Sequence, residues 1–257
     1  MAAGSAGDPA LRATIESALD EYRTRFPDDR WQLYLSVHHE RYQLLVSDCL
    51  RLLRTGAAPA DGRRRALVIG PRYEVDLLHR LAPDVVVDTL GLNPGLFPIL
   101  EGEQFLQFDL NETDMPERRP TPVPYQLIVM AEVIEHLWTS PSVILPWLRS
   151  LLVPGGYLLV QTPNAVALPK RLRMLLGVNP FQELQTDRAY PGHIREYTVK
   201  EMAREGRNAG LEVAELRTAN YFDSEKRTNR LYERMERVIP KNLRAGITVA
   251  YRRPDHG

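Results

Sequence analysis

The chain has 257 residues, its 33 lysines and arginines are balanced by 33 aspartates and glutamates, and 44% of it is hydrophobic. That length and composition suit one α/β unit with an accessory segment, or two small domains. Zero net charge argues against a nucleic-acid binder that works through a broad basic field. One cysteine, Cys49, excludes an intrachain disulfide, and no apolar run approaches the roughly 20 residues of a membrane span, so a cytoplasmic protein is expected.

The first seven residues are small and read as an unstructured, uncleaved start without the basic and apolar regions of a signal peptide. Asp8-Pro9 opens a first helix, with Leu11, Ile15, Ala18, Leu19 and Tyr22 at helical spacing, and Phe26-Pro27 closes it. A second helix is predicted over 31–53, with an apolar stripe through Tyr42, Leu45, Val46, Cys49, Leu50 and Leu53. Together residues 1–57 form a helical cap that either covers apolar surface or offers Trp31, Tyr34, His38 or His39 to a substrate pocket; the two histidines equally well face solvent. Residues 58–257 form the α/β domain.

Ala66 to Gly70 is the first strand and its turn, followed by a helix face of Val75, Leu77, Leu78 and Leu81. Val85 to Asp88 is a second strand with an acid at its end. About 20 residues after Gly70, Asp88 suits an acid that accepts hydrogen bonds from a ribose, or it caps a turn. Phe105 to Asp109 is a third strand. Residues 115–124 carry four prolines and read as an extended surface loop.

The organising stretch is 125–164. Leu127 to Met130 is a buried parallel strand, and Glu132-Val133-Ile134-Glu135-His136 sets three ionisable groups just past its carboxyl end, where ligands bind in open α/β sheets. Ser140-Pro141 caps a helix that Pro146 is expected to kink and Pro154-Gly155-Gly156 to end. Tyr157 to Gln161 is the next strand, closed by Thr162-Pro163-Asn164. Residues 165–191 form an insertion whose Lys170–Leu176 stretch is basic and amphipathic, with Phe181 and Tyr190 nearby. It is a substrate lid, a partner surface or a membrane-surface contact, and the lid is preferred because the segment leaves from the same sheet edge. Thr198-Val199-Lys200-Glu201 is a capping box, and Gly210 stops its helix. A strand over 211–218, a helix over 224–239 and a last strand over 247–251 complete the chain.

The motifs EVIEHL, LLVPGGYLLVQTPN and GHIREYT, in that order, resemble class I S-adenosylmethionine (SAM) dependent methyltransferases over roughly 66–253. The resemblance implies a Rossmann-like, doubly wound, seven-stranded sheet, mostly parallel with an antiparallel last strand. It implies SAM as cofactor, near Gly70, Asp88, Asp109 and Glu132, with Asp109 approaching the adenine amino group and Leu90 or Leu92 flanking the ring. In such proteins the first strand ends in an acid and a glycine-rich loop. Here Val68 replaces the acid, and Arg72 and Glu74 stand where glycines are usual; Glu74 is then a candidate contact to the methionine part of SAM.

Methyl transfer needs alignment above all, and a hydroxyl acceptor also needs a base. His136, Glu132 and His193 are the catalytic candidates. Glu132, Glu135, His136 and His193 alternatively bind a divalent metal ion, a pattern similar to small-RNA 2′-O-methyltransferases, or Glu135 and His136 are structural. The segment GHIREYT and the TPN turn look more like enzymes acting on sugars, lipid-linked glycans or natural products. The expected activity is therefore methyl transfer to O or N of a small-molecule or saccharide-type acceptor. A metal-dependent nucleic-acid 2′-O-methyltransferase and a non-catalytic relative with a degraded cofactor loop are the alternatives.

Overall fold

The computed structural model describes residues 9–25, 29–57, 62–187, 191–220 and 239–256. Its seven strands are β1 (Arg65–Ile69), β2 (Val86–Gly91), β3 (Phe105–Gln107), β4 (Tyr125–Ala131), β5 (Leu152–Pro163), β6 (Glu212–Ala219) and β7 (Gly246–Arg252). They form one sheet in the order β3-β2-β1-β4-β5-β7-β6. β1 to β5 pair in parallel, and β7 lies antiparallel between β5 and β6. The chain leaves β1 towards one edge and β4 towards the other, so a crevice opens beyond the carboxyl ends of these two strands.

Six helices are described: α1 (Pro9–Arg25), α2 (Asp29–Thr55), α3 (Tyr73–Leu81), α4 (Pro141–Ser150), α5 (Leu168–Leu175) and α6 (Val199–Asn208). The central strands are apolar on both faces because both faces are covered. Ala66, Val68, Leu127 and Val129 join Tyr42, Leu45 and Cys49 of α2 and Leu77 and Leu78 of α3. Their alternates Leu67, Ile69, Ile128 and Met130 join Ile144 and Leu148 of α4 and Met202 of α6. The two-residue period of the strands thus sorts each run into two cores. α2 is tied to β4 where the Gln126 amide donates to the carbonyls of Leu53 (2.9 Å) and Gly56 (2.7 Å).

Several local expectations hold in detail. Ser140 caps α4, and Thr198 with Glu201 makes a reciprocal capping box on α6. Cys49 is buried, and burial raises its thiol pKa. Others need correction. β2 does not end at Asp88 but runs to Gly91, because pairing continues on both sides through Thr89 and Leu90. β3 stops at Gln107, and Asp109 instead caps a short 3-10 turn by accepting from the Asn111 amide. β5 begins at Leu152 rather than Tyr157, with the ladder to Arg253 kept through Gly155 and Gly156. The loop 115–124 contains a 3-10 turn at Pro116–Arg118. The helix expected over 224–239 falls outside the described residues except for Ile239, as does Tyr190.

Candidate active site

A cavity of about 540 Å³ lies beyond the ends of β1, β2 and β4. Its floor is the turn after β1. Gly70 has φ +67, and a Cβ there would lie 2.9 Å from Val133 Cγ2, so the turn needs glycine both for conformation and for space. The following residue is proline, and the room it takes is returned from the facing loop: Gly95 has φ +85, and a Cβ on it would meet the Pro71 carbonyl at 2.8 Å. A glycine-poor turn is therefore seated against glycine on its opposite wall. Arg72 lines the cavity, its guanidinium carbon 5.3 Å from the Tyr34 ring centroid.

Two expected cofactor contacts are not at this cavity. Glu74 is buried behind the turn, where its Oε1 accepts from the Arg72 amide at 3.1 Å, and burial raises its pKa. Asp88 is fully buried within β2. Its oxygens accept from the Gln104 amide (2.8 Å) and the Tyr125 hydroxyl (2.9 Å), and burial, ahead of those bonds, raises its pKa. With β2 extended to Gly91, the residues that face the cavity there are Leu92 and Asn93. Leu90 is in the core, whereas Asp109, Phe108 and Asn111 line the wall beside Leu92. Asn111 also anchors the loop after EVIEHL, its Oδ1 accepting from the Trp138 and Thr139 amides.

Past β4 the backbone turns abruptly. Glu132 has φ 55, a left-handed conformation unusual for a residue with a Cβ, and its amide bonds the Gln161 carbonyl at 2.9 Å. Glu132 and His136 line the cavity; Glu135 and His193 stand just behind it, beside Gly192 on its rim. The carboxylate of Glu135 is fully buried, with Oε2 accepting from Thr162 Oγ1 at 3.0 Å and Oε1 without a hydrogen-bond partner. Glu132 Oε1 is likewise buried without a donor, and the two carboxyls are close enough for a side-chain hydrogen bond when one is protonated. Burial raises both carboxyl pKa values, and for Glu135 the neighbouring Glu132 charge adds to it.

The two imidazoles are oriented from outside. His136 Nδ1 lies 2.8 Å from the Gly192 carbonyl and His193 Nδ1 lies 3.0 Å from Glu196 Oε1. A carbonyl only accepts, so Nδ1 of His136 carries the proton and Nε2 is a lone pair in the neutral ring; a carboxylate partner favours the same tautomer in His193. The rings meet edge to face, 4.9 Å apart, and His136 Nε2 is 3.9 Å from Glu135 Oε1. Burial lowers the His136 pKa, which keeps that lone pair available. Glu196 is also paired with Lys170; although burial opposes it, the bonds from His193 and Lys170 hold its pKa below the usual range.

Of the four residues expected to bind a metal, Glu135, His136 and His193 each offer a ligand atom within 4.8 Å of the others. Glu132 is not in that set; it lies in the field of Arg41 instead. The motifs are brought together by main chain: the amides of Ile194 and Arg195 both donate to the Glu135 carbonyl (2.8 and 3.1 Å), and Ala165 donates to Tyr197.

Arg41 is the charged neighbour of Glu132 that the sequence reading missed. It is buried on α2, donates to the Tyr34 hydroxyl at 3.0 Å, and supplies the positive field felt by Glu132 and Glu74. Its signal was an arginine four residues before Leu45, on the apolar face. The Tyr34 and His38 rings lie 4.2 Å apart, tilted by 37°, but do not line the cavity, and burial, then Arg41 and Arg72, lowers His38 to about 3. His39 is partly exposed, and the Trp31 side chain lies outside what is described.

The sheet order, the antiparallel seventh strand and a cavity at the reversal of β1 and β4 define a Rossmann-like methyltransferase fold. The chain belongs to the methyltransferase-domain family, whose model matches residues 38–216, and it is a SAM-dependent methyltransferase. No curated protein matches the sequence. Among solved structures, a SAM-dependent methyltransferase from Archaeoglobus fulgidus is 16% identical, with a TM-score of 0.52 over 88% of this chain and 100% of that one. A chain of the complex between the Trm112 methyltransferase activator of Haloferax volcanii and a methyltransferase gives a TM-score of 0.54 at 14% identity, over 86% and 99%. An O-methyltransferase family 2 protein of Planctomyces limnophilus, solved with apigenin, gives 0.50 at 16% identity, over 92% and 64%. These likenesses are of fold. The cavity suits SAM: a turn where a Cβ would clash, apolar walls at Leu92 and Phe108, and polar groups at Asn93 and Asp109.

Proposed function

We propose that this enzyme methylates an oxygen or nitrogen of a small-molecule or saccharide-type acceptor, with His136 as the base. The observation that supports this most is the His136 ring at the cavity, its Nδ1 fixed by Gly192 and its Nε2 lone pair left free by a lowered pKa. SAM supplies an electrophilic methyl group. Gly70, Leu92, Asn93 and Asp109 hold it, Glu132 and His136 border the acceptor, and His193 backs them. His136 Nε2 removes the proton of an acceptor hydroxyl or ammonium, a contribution of about 10² to 10⁴ in rate. The amides of Gln182 and Gln185, which the 165–191 insertion brings to the rim, suit hydroxyl groups and support the saccharide reading. The helices of residues 1–57 act as a cap, holding Arg41 behind Glu132.

The trio Glu135, His136 and His193 favours a second reading, a divalent ion at that point. Each imidazole already has an oxygen partner on Nδ1, the arrangement that orients histidine ligands. Calorimetric titration with SAM and with manganese, followed by methyl-transfer assays on mono- and oligosaccharides, tests both. Turnover unaffected by EDTA and abolished by His136→Ala supports the base. Turnover lost in EDTA and restored by manganese supports the ion. SAM binding with neither effect rejects this assignment of the site.

A further inference from the structure

We propose that α5 and the turn after it dock on an anionic lipid bilayer, holding the mouth of the active site at the membrane surface. Leu168, Leu172, Leu175 and Leu176 fall on one stripe of the helix. No residue of α5 is buried, and the stripe points outward: Leu172 is 52% exposed, Leu175 82% and Leu176 80%. Val178 extends the exposed apolar surface at 46%, whereas Leu184, 66% exposed, lies beyond it beside Glu183. At about 100° per residue, Arg171 and Arg173 lie on either side of the leucines, while Lys170 points back to its pair with Glu196. No aspartate or glutamate occurs from residue 165 to 182, in a chain whose net charge is zero.

An outward leucine ridge between two arginines, without acids, matches the two layers of a bilayer: anionic headgroups at the arginines and acyl chains at the leucines. A second copy of the same face would set its arginines against these, so self-association is disfavoured. The stripe is not a wall of the cavity, because no residue of α5 lines it, whereas Gln182 and Gln185 just beyond do. Among the described residues no helix is long and apolar enough to cross a membrane, so the contact is on the surface. The consequence, which rests on the proposed function, is that an acceptor carrying a lipid tail presents its polar head to the rim from the bilayer.

The test is co-sedimentation of the full chain with vesicles of phosphatidylcholine, alone or mixed with phosphatidylglycerol. The protein should prefer the mixed vesicles, and salt should weaken the binding. Leu175→Glu with Leu176→Glu should lose about a hundredfold or more, from roughly tenfold per leucine. Arg171→Gln with Arg173→Gln should lose about fivefold per arginine. SAM affinity, read by calorimetry on the same samples, should stay unchanged, which separates this proposal from the methyl-transfer reading. Absence of vesicle binding by the unaltered protein overturns the proposal, as does equal binding by the leucine variant. A dimer that the leucine variant dissociates, seen by sedimentation velocity, also overturns it.

Discussion

Replacing Glu135 by glutamine should stabilise the metal-free protein. The carboxylate is fully buried; Oε2 has Thr162 and Oε1 has no partner. Leaving a buried polar atom unsatisfied costs about 1–3 kcal/mol. A glutamine amide keeps the acceptor for Thr162 and adds a donor on the side of His136 Nε2, now 3.9 Å from Oε1, which is a lone pair in the tautomer that Gly192 sets. The variant should therefore gain about 1–3 kcal/mol in urea unfolding at neutral pH with EDTA present.

The pH dependence has a definite sign. An unfolded glutamate titrates at about 4.3. In the folded protein burial, then the charge of Glu132, raises Glu135 well above its ordinary range. Between the two values the unfolded chain has lost the proton and the folded one keeps it, so stability falls as pH rises through that window. The variant should show a smaller fall, because burial also raises Glu132, Glu74 and Asp88, which remain. If the trio takes a divalent ion, manganese at about a hundred times its Kd should add about 2.7 kcal/mol to the unaltered protein and none to the variant. A variant less stable than the unaltered protein in EDTA at neutral pH would refute the view that this carboxylate is held at a cost.

His136→Asn should preserve SAM affinity and lower kcat by about 10² to 10⁴. In the unaltered enzyme the acid limb of kcat/KM should lie below the ordinary histidine value of about 6.5, because burial lowers this group. The same lowering makes stability fall as pH drops from the unfolded value through the folded one; a limb above about 6.5 would contradict the assignment. Asp88→Ala should cost about 2–4 kcal/mol in urea unfolding, since it strands the Tyr125 hydroxyl and the Gln104 amide, and SAM affinity should change by less than about threefold. A tenfold loss in calorimetry would return Asp88 to the ribose. Gly70→Ala should lose about 1–3 kcal/mol of stability and weaken SAM at least tenfold, from its left-handed φ and the contact with Val133. Pairing it with Val133→Ala should recover part of the loss, and no recovery would mean that the contact is unimportant.

The central strands were legible because they are short apolar runs bounded by turn residues, whereas β5 is 12 residues long and β6 carries Glu212, Glu215 and Arg217; the capping box on α6 was legible because its chemistry is local. The ends were less so. Asp88 looked terminal because it is the first charge after an apolar run, yet its neighbours Tyr125 and Gln104 satisfy it inside the sheet. Glu74 looked like a contact of an altered loop, but a helix that starts at Tyr73 turns it inward. Both placements away from the cavity share a cause: a charge in sequence says nothing of the partner that the fold provides. His136 and Glu132 were placed correctly at the cavity edge because position after a central parallel strand is itself a constraint. Arg41 was hidden because Glu74 and Glu132, the carboxyls that feel its charge, are far away in sequence and only come near it once α2 packs on the sheet.

The convergence of His193 on His136 follows from main chain rather than side chains. The Glu135 carbonyl holds the amides of Ile194 and Arg195, and the Gly192 carbonyl holds His136 Nδ1. Those three bonds fix the loop and the His136 tautomer whatever the side chain at 135 is. The frame that places both imidazoles is therefore independent of the group that would make it a metal site. A metal-free base and an ion-binding trio differ, in this chain, only in what the buried carboxylate of Glu135 meets. Glutamine at that position leaves the frame standing and removes the charge, so turnover that survives Glu135→Gln identifies His136 as a base acting alone. Turnover lost both in Glu135→Gln and in Glu135→Ala, whose side chain cannot occupy the His136 Nε2 lone pair, with the fold and SAM affinity intact, identifies the carboxylate as part of the chemistry.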